Sequence, residues 1–216
     1  MQMSGPDMQP WSFATIPPLF LMWTEMMVPM MVPSATPAVL KFSAAKRKRE
    51  NGKPFLPAGI FLLGYLTVWT GFSALAAIAQ WALHATALLS PMMVSANAFF
   101  GGALLIAAGI FQWLPAKTRC LSQCCSPLNV STENWREGKT GAFVTGLKHG
   151  FYCTGCCWIL MALLFVAGVM NLWWIAALSA LVLVERTIPC GRLLGRIAGV
   201  IFAIWGAWMM LHAVAR

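Results

Sequence analysis

The residues best able to do chemistry concentrate in HGFYCTGCC, His149 to Cys157. Placed on a helix, His149, Cys153, Cys156 and Cys157 fall at i, i+4, i+7 and i+8, which is one face. Three thiols and an imidazole on one stripe form a soft-ligand surface, and the stretch holds no carboxylate. Such a donor set favours Cu(I), with Zn(II) second. The spacing does not match a closed zinc ribbon, which needs paired CxxC elements at a defined separation. Upstream lies a CxxxCC, and its Cys120 and Cys124 are further candidate ligands. A single Cys in a helix commonly only packs, as a small apolar residue. Thiols clustered at i, i+3 and i+4, with a histidine on the same face, point to a metal instead.

Methionine supplies a second soft-ligand pattern. In MWTEMMVPMMVP, Met22, Met26 and Met30 repeat every four residues, as do Trp23, Met27 and Met31. Helical geometry stacks each series into a ladder. Met26, Met27, Met30 and Met31 are therefore candidate ligands, since a thioether binds Cu(I) without losing a proton. The competing reading is that methionine is an adaptable apolar filler. His84 with Met92 and Met93 could form an outer entry cluster, although His84 and His212 read more simply as interfacial histidines. Glu25 and Glu185 lie within apolar runs, where a carboxylate needs a partner or solvent. Glu185 needs a cation, a metal or a donor partner, and an interfacial pair with its neighbour Arg186 is one of the readings open to it. The sequence contains no GxSxG, phosphate-cradling glycine loop or HExxH, and none of the paired acids that hydrolysis needs.

The elements that must position these residues follow from composition. The 216-residue chain is 59% hydrophobic and 10% charged, with 11 Trp. That leaves too little polar surface for a soluble domain. Several runs approach the ~20 apolar residues needed to cross ~30 Å of hydrocarbon. The expected fold is all-α, a single integral-membrane helical bundle over residues 1–216 with about six transmembrane helices. Residues 1–12 are expected to be flexible, and Met1 to Pro10 lacks the basic start of a signal peptide, so the first helix should be retained. The expected runs are Phe13–Phe42, Leu56–Leu89, Ser95–Leu114, Gly150–Met170, Leu172–Ile188 and Ile197–Val214. Pro29 and Pro33 should kink or break the first. The second should end in an interfacial segment near Gln80 to Pro91. Residues 115–148 are expected to form a Cys-bearing polar loop, and Asn171 a tight turn. Gly195 and Gly199, at GxxxG spacing, should let backbones approach.

Six spans would put 14 of the 15 Lys and Arg residues on one side, with only Arg216 opposite. The positive-inside rule then assigns those loops to the cytoplasm of a bacterial inner membrane, with periplasmic termini. The net charge of +9 is thus a topology signal. It is not a nucleic-acid surface, because no basic face carries interleaved aromatics. On this topology all the thiols sit at the cytoplasmic side, where they stay reduced.

Through WTEMMVPMMVPS, CLSQCCSPL, GLKHGFYCTGCCW and the Glu185–Arg186 pair closing a late span, the chain resembles a family of bacterial proteins described as predicted metal-binding integral membrane proteins. The likeness runs from about Leu19 onward. Cys125 stands where that family carries a basic residue and Glu25 where it carries a small or apolar one. Members often have an additional leading span, which is not expected here. The resemblance implies a membrane bundle with a metal-related role.

The expected function is therefore to bind Cu(I) and to move it, or deliver it to a partner such as a metallochaperone or an oxidase under assembly. The Met ladder would offer weak sites. Cys153, Cys156 and Cys157 with His149, joined by Cys120 and Cys124, would form the tighter inner site, because conduction needs binding that also permits release. Two alternatives remain open. One is a transmembrane thiol–disulfide carrier, with Lys148 and the helix N-terminus activating Cys153. The other is a structural subunit whose Cys and Met only pack.

Overall fold

The computed structural model describes residues 13–50, 55–86, 89, 97–125, 138–188 and 191–215. The flexible terminus expected at residues 1–12, the entry residues Met92 and Met93, and Cys190 lie outside them. The protein is an all-helical bundle. After a short turn at Phe13–Thr15 come α1 (Ile16–Glu50), α2 (Phe55–Ala85), α3 (Ala98–Trp113) and α4 (Pro115–Cys125). They are followed by α5 (Gly138–Ala162), the single turn α6 (Leu164–Ala167), α7 (Leu172–Thr187) and α8 (Gly191–Val214).

The long helices alternate in direction, as named contacts between them establish. At one level, Trp23 of α1 donates its indole N–H to Gln80 Oε1 of α2 at 2.6 Å. Its ring meets Phe165 of α6 at 5.3 Å between centroids. Further along, Tyr65 of α2 reaches Met31 of α1 and Cys153 of α5. On the other flank α3 packs along α8, where a Cβ on Gly109 would lie 2.6 Å from the Gly199 carbonyl oxygen. A Cβ on Gly206 would lie 2.6 Å from that of Gly102. The expected small-residue role of Gly199 is thus met, because only glycines let these two backbones approach so closely.

Helix α1 runs unbroken through Pro29, Pro33 and Pro37, so the expected break does not occur. Pro29 and Pro33 are exposed and share one outward stripe, while Trp23, Met27, Met30, Met31 and Ala35 are buried on the opposite face. Proline's lost hydrogen bonds therefore fall on the outer face, and packing of the inner face keeps the helix in register. Likewise α2 continues past Gln80 to Ala85, with Gln80 buried against Trp23, and most of the interfacial segment expected up to Pro91 lies outside the described residues.

The expected loop over residues 115–148 is largely helical within the described residues. Pro115 opens α4: proline suits the first helical position and drives the preceding residue out of helical geometry. Leu114 accordingly takes φ −66° and ψ 137°, and α4 turns away from α3 by 66°. Helix α5 begins at Gly138, not Gly150. Its early turns carry Ala142, Gly146 and Gly150 on one buried stripe at i, i+4 spacing against α2. Polar composition marked this segment as loop, and close small-residue packing makes it helix. Gly168, at φ 96°, ends α6, and Asn171 then caps α7 by accepting from the Trp174 backbone N–H at 3.2 Å. That matches the turn expected there.

Four segments, Phe13–Ala45, Pro57–Ala85, Gly138–Ala167 and Gly191–Val214, are long and apolar enough to cross a membrane. The bent pair α3 with α4 passes the same test jointly, giving up to five. With 16 residues, α7 is about 24 Å long at 1.5 Å per residue, short of ~30 Å of hydrocarbon. The count of six spans is accordingly not confirmed.

Glycines at the α2–α5 contact provide a test. A Cβ at Gly146 would collide with the Phe61 backbone carbonyl, whereas one at Gly71 meets nothing within 4 Å. Gly146→Ala should cost roughly 1–3 kcal/mol through overpacking. Gly71→Ala should be neutral or stabilising by up to ~1 kcal/mol, the propensity gain of Ala over Gly in a helix. Thermal unfolding in detergent micelles compares the two, and equal midpoints would contradict this packing.

Candidate metal centre

Because α5 carries its Cys residues at helical spacing, they arrive on one inward face. His149, Cys153, Cys156 and Cys157 are all buried, with exposures of 5%, 0%, 2% and 1%, while Phe151 and Trp158 point outward. Helix α4 then brings Cys124 onto the same spot. Its buried side, Lys117, Leu121 and Cys124, follows the i, i+4, i+7 stripe of an amphipathic helix. The Cys124 thiol lies within reach of those of Cys153 and Cys156. Cys120, half-buried on α4, packs against Gly155 of α5, where a Cβ would sit 3.3 Å from its sulfur.

Two residues that sequence reasoning missed complete the cluster. Tyr65 donates its hydroxyl to the Met31 carbonyl at 3.2 Å and shares a 2.9 Å contact with Cys153 Sγ. Arg186 reaches in from α7. Its Nη2 lies 3.4 Å from Cys156 Sγ, 3.5 Å from Cys157 Sγ and 3.4 Å from the Cys153 carbonyl oxygen. Its Nη1 donates to Ser34 Oγ of α1 at 2.8 Å, and Ser34 Oγ donates in turn to the Met31 carbonyl at 2.8 Å.

The thiols are parked on backbone. Cys156 and Cys157 donate to the Cys153 carbonyl at 3.1 and 2.9 Å. Among the described residues, no three His, Cys, Asp or Glu side chains stand preassembled as a metal-binding group. Rotation about χ1 of these small side chains is what would turn pairs of sulfurs toward a common ion. His149 packs with tilted rings against Phe61 and Tyr65, each 5.7 Å away by centroid. Its Nε2 is buried and makes no hydrogen bond among the described residues, so it is available as a donor.

A Glu185–Arg186 pair does not form. Adjacent helix residues point in different directions, and Glu185 turns the other way. It takes both carboxylate oxygens to Lys117 Nζ at 2.8 Å, and Lys117 also contacts Gln112 Oε1. Both charged side chains are 4% exposed, and Gly195 of α8 leaves the room the carboxylate occupies. This ion pair fastens α4 to α7. Glu25, by contrast, is exposed. Lys148 is exposed too, and Cys153 lies well inside α5, so neither that lysine nor a helix N-terminus flanks the thiols as expected.

The Met ladder divides by depth. Met27, Met30 and Met31 are buried at 1%, 4% and 0%, in the same core as the thiols. Met22 and Met26 are half-buried and pack against it. The backbone carbonyl of Met31, not its thioether, is joined to Cys153 through the Tyr65 hydroxyl. At the far end His84 is buried, and His212 is exposed beside Trp208.

The model of a family named PpoB2, described as copper chaperone, matches residues 20–209. No curated protein and no solved structure matches the chain.

Removing one partner of a buried ion pair strands the other charge, at about 3–5 kcal/mol. Lys117→Met or Glu185→Leu alone should therefore lower the unfolding midpoint strongly. The combined Lys117→Met, Glu185→Leu variant should recover most of the loss. Thermal unfolding of the three variants reads this directly, and additive losses in the double variant would contradict the pairing.

Proposed function

Because this chain belongs to the PpoB2 family of copper chaperones, we propose that it is a membrane-embedded carrier that holds Cu(I) on the thiols of its α4–α5 cluster and hands it on. The observation that carries this reading is the convergence of Cys124, Cys153, Cys156 and Cys157 beneath the Arg186 guanidinium. Cu(I) is the cargo, and a chaperone's task is to bind and release it, not to transform a substrate.

The chemistry favours this ion over Zn(II). Thiolates are soft donors, and the buried carboxylate among the described residues, Glu185, is already held by Lys117. Structural Zn(II) needs four ligands fixed in a tetrahedron, whereas two sulfurs suffice for Cu(I). Binding expels thiol protons, so a dithiolate–Cu(I) unit carries net negative charge. Arg186 supplies the opposing cation in place. A unit charge near 4 Å is worth about 4 kcal/mol at an effective dielectric of 20. His149, with its free Nε2, and Cys120 at the rim are the auxiliary donors.

Met31, Met30 and Met27 extend from the thiol cluster along α1. They would serve as weak neutral stations between the cluster and the opposite end of the bundle. One-sided basic residues support a cytoplasmic thiol end in a bacterial inner membrane. An oxidase under assembly or a soluble metallochaperone are the partners this arrangement suits.

Protein purified anaerobically should carry near-stoichiometric copper, and Cys156→Ser with Cys157→Ser should abolish it. Arg186→Gln should weaken Cu(I) binding by roughly 10–100-fold, the usual cost of losing an outer partner of a ligand. Metal analysis with chelator competition measures both. Trace copper in the wild type, or full loading of the double serine variant, would defeat the reading.

A further inference from the structure

Helix α8 opens with two arginines that take no part in the thiol cluster. Arg192 and Arg196 stand four residues apart in its first two turns, and both are exposed. Among the described residues no carboxylate pairs with either, and Arg196 lies over the Trp113 ring at 5.5 Å. Together with Gln112, Lys117 and Thr118 they line a crevice of about 10 Å³, room for one water-sized atom. Glu185 borders it as well, but Lys117 neutralises that carboxylate. Gln112 is 5% exposed, and its amide Nε2 has no hydrogen-bond partner. A buried donor left unpaired is costly, so the crevice calls for an acceptor atom. Beyond the arginines the same i+4 row turns apolar, through Val200, Ile204 and Trp208, all exposed. From Ile197 to Val214 the helix carries no Asp, Glu, Lys or Arg. Those residues span about 27 Å at 1.5 Å per residue, close to the ~30 Å of hydrocarbon.

We propose that Arg192, Arg196, Thr118 and Gln112 bind the phosphodiester of one anionic phospholipid. The inference rests on the membrane-embedded reading of the chain and is independent of the metal. With the apolar part of α8 in hydrocarbon, both guanidiniums stand at headgroup depth, and Trp113 takes the interfacial level usual for tryptophan. Guanidinium forks match phosphate oxygens in geometry and charge. One diester oxygen fills the crevice and accepts from Gln112 Nε2, while the rest stays at the rim between the arginines. The acyl chains follow the Val200–Ile204 row. That row selects a lipid, since free phosphate gains nothing from it. A lipid seated here touches α3, α4 and α8 at once and braces the bend that sets α4 in place.

The test is native mass spectrometry of the full-length, copper-free protein in micelles. It is titrated with dioleoyl phosphatidylglycerol, dioleoyl phosphatidylcholine or inorganic phosphate. One phosphatidylglycerol should bind tightly, with phosphatidylcholine roughly tenfold weaker, and inorganic phosphate at equal concentration should not displace it. Arg192→Gln with Arg196→Gln should weaken phosphatidylglycerol binding by roughly tenfold to thirtyfold, about what two arginines contribute at an anionic surface. Arg192→Lys with Arg196→Lys, which keeps the charge and loses the fork, should fall between that variant and wild type. Lys139→Gln with Lys148→Gln removes the same charge at exposed positions of α5 and should bind as wild type. Equal binding of the two lipids, displacement by inorganic phosphate, or equal losses in the two glutamine variants would overturn the site and leave the copper carrier standing. A wild-type chain that stays monodisperse without detergent would overturn the membrane reading and this site with it.

Discussion

A guanidinium inside an apolar bundle must be answered by something, and in this protein sulfur answers it. Arg186 extends from α7 across to α1 and α5, with Ser34 at one nitrogen and Cys156, Cys157 and the Cys153 carbonyl at the other. Burying a cation away from water is costly, and these contacts answer part of that cost. In the proposed carrier, a thiolate–Cu(I) unit would add negative charge beside the guanidinium.

The ion pair one residue away makes the arrangement possible. Glu185 and Lys117 tie α7 to α4, and α4 is the element that brings Cys124 and Cys120 onto the α5 face. With the buried Leu121 and Cys124, Lys117 anchors α4 after the bend at Pro115. The α3–α8 and α2–α5 glycine contacts then fix the frame within which four thiols converge.

Much of this was legible in the residues alone, and the misses have definite causes. HGFYCTGCC declared its face because the spacing is local, needing only a helix to become a stripe. The all-helical bundle and the small-residue contacts followed from composition and from GxxxG spacing. Helix α4 was hidden because KTRCLSQCC is polar by count, and its i, i+4, i+7 pattern of Lys117, Leu121 and Cys124 shows only when a lysine is admitted to a buried face. The start of α5 was hidden for the converse reason, that glycines at close helix contacts look like loop residues. Arg186 was misassigned because sequence neighbours were paired, although adjacent helix residues diverge. Tyr65 and Ser34 carry no local signal at all; only the tertiary meeting of α1, α2 and α5 gives them a role.

The central claim is that Cu(I) is held by sulfur on α5, and X-ray absorption at the copper edge of the anaerobically loaded protein addresses it most directly. The predicted result is a low-coordinate first shell dominated by sulfur, which disappears when Cys153, Cys156 and Cys157 are all changed to serine. A first shell of nitrogen and oxygen alone in the wild type, or a sulfur shell that survives the triple serine change, would contradict the account.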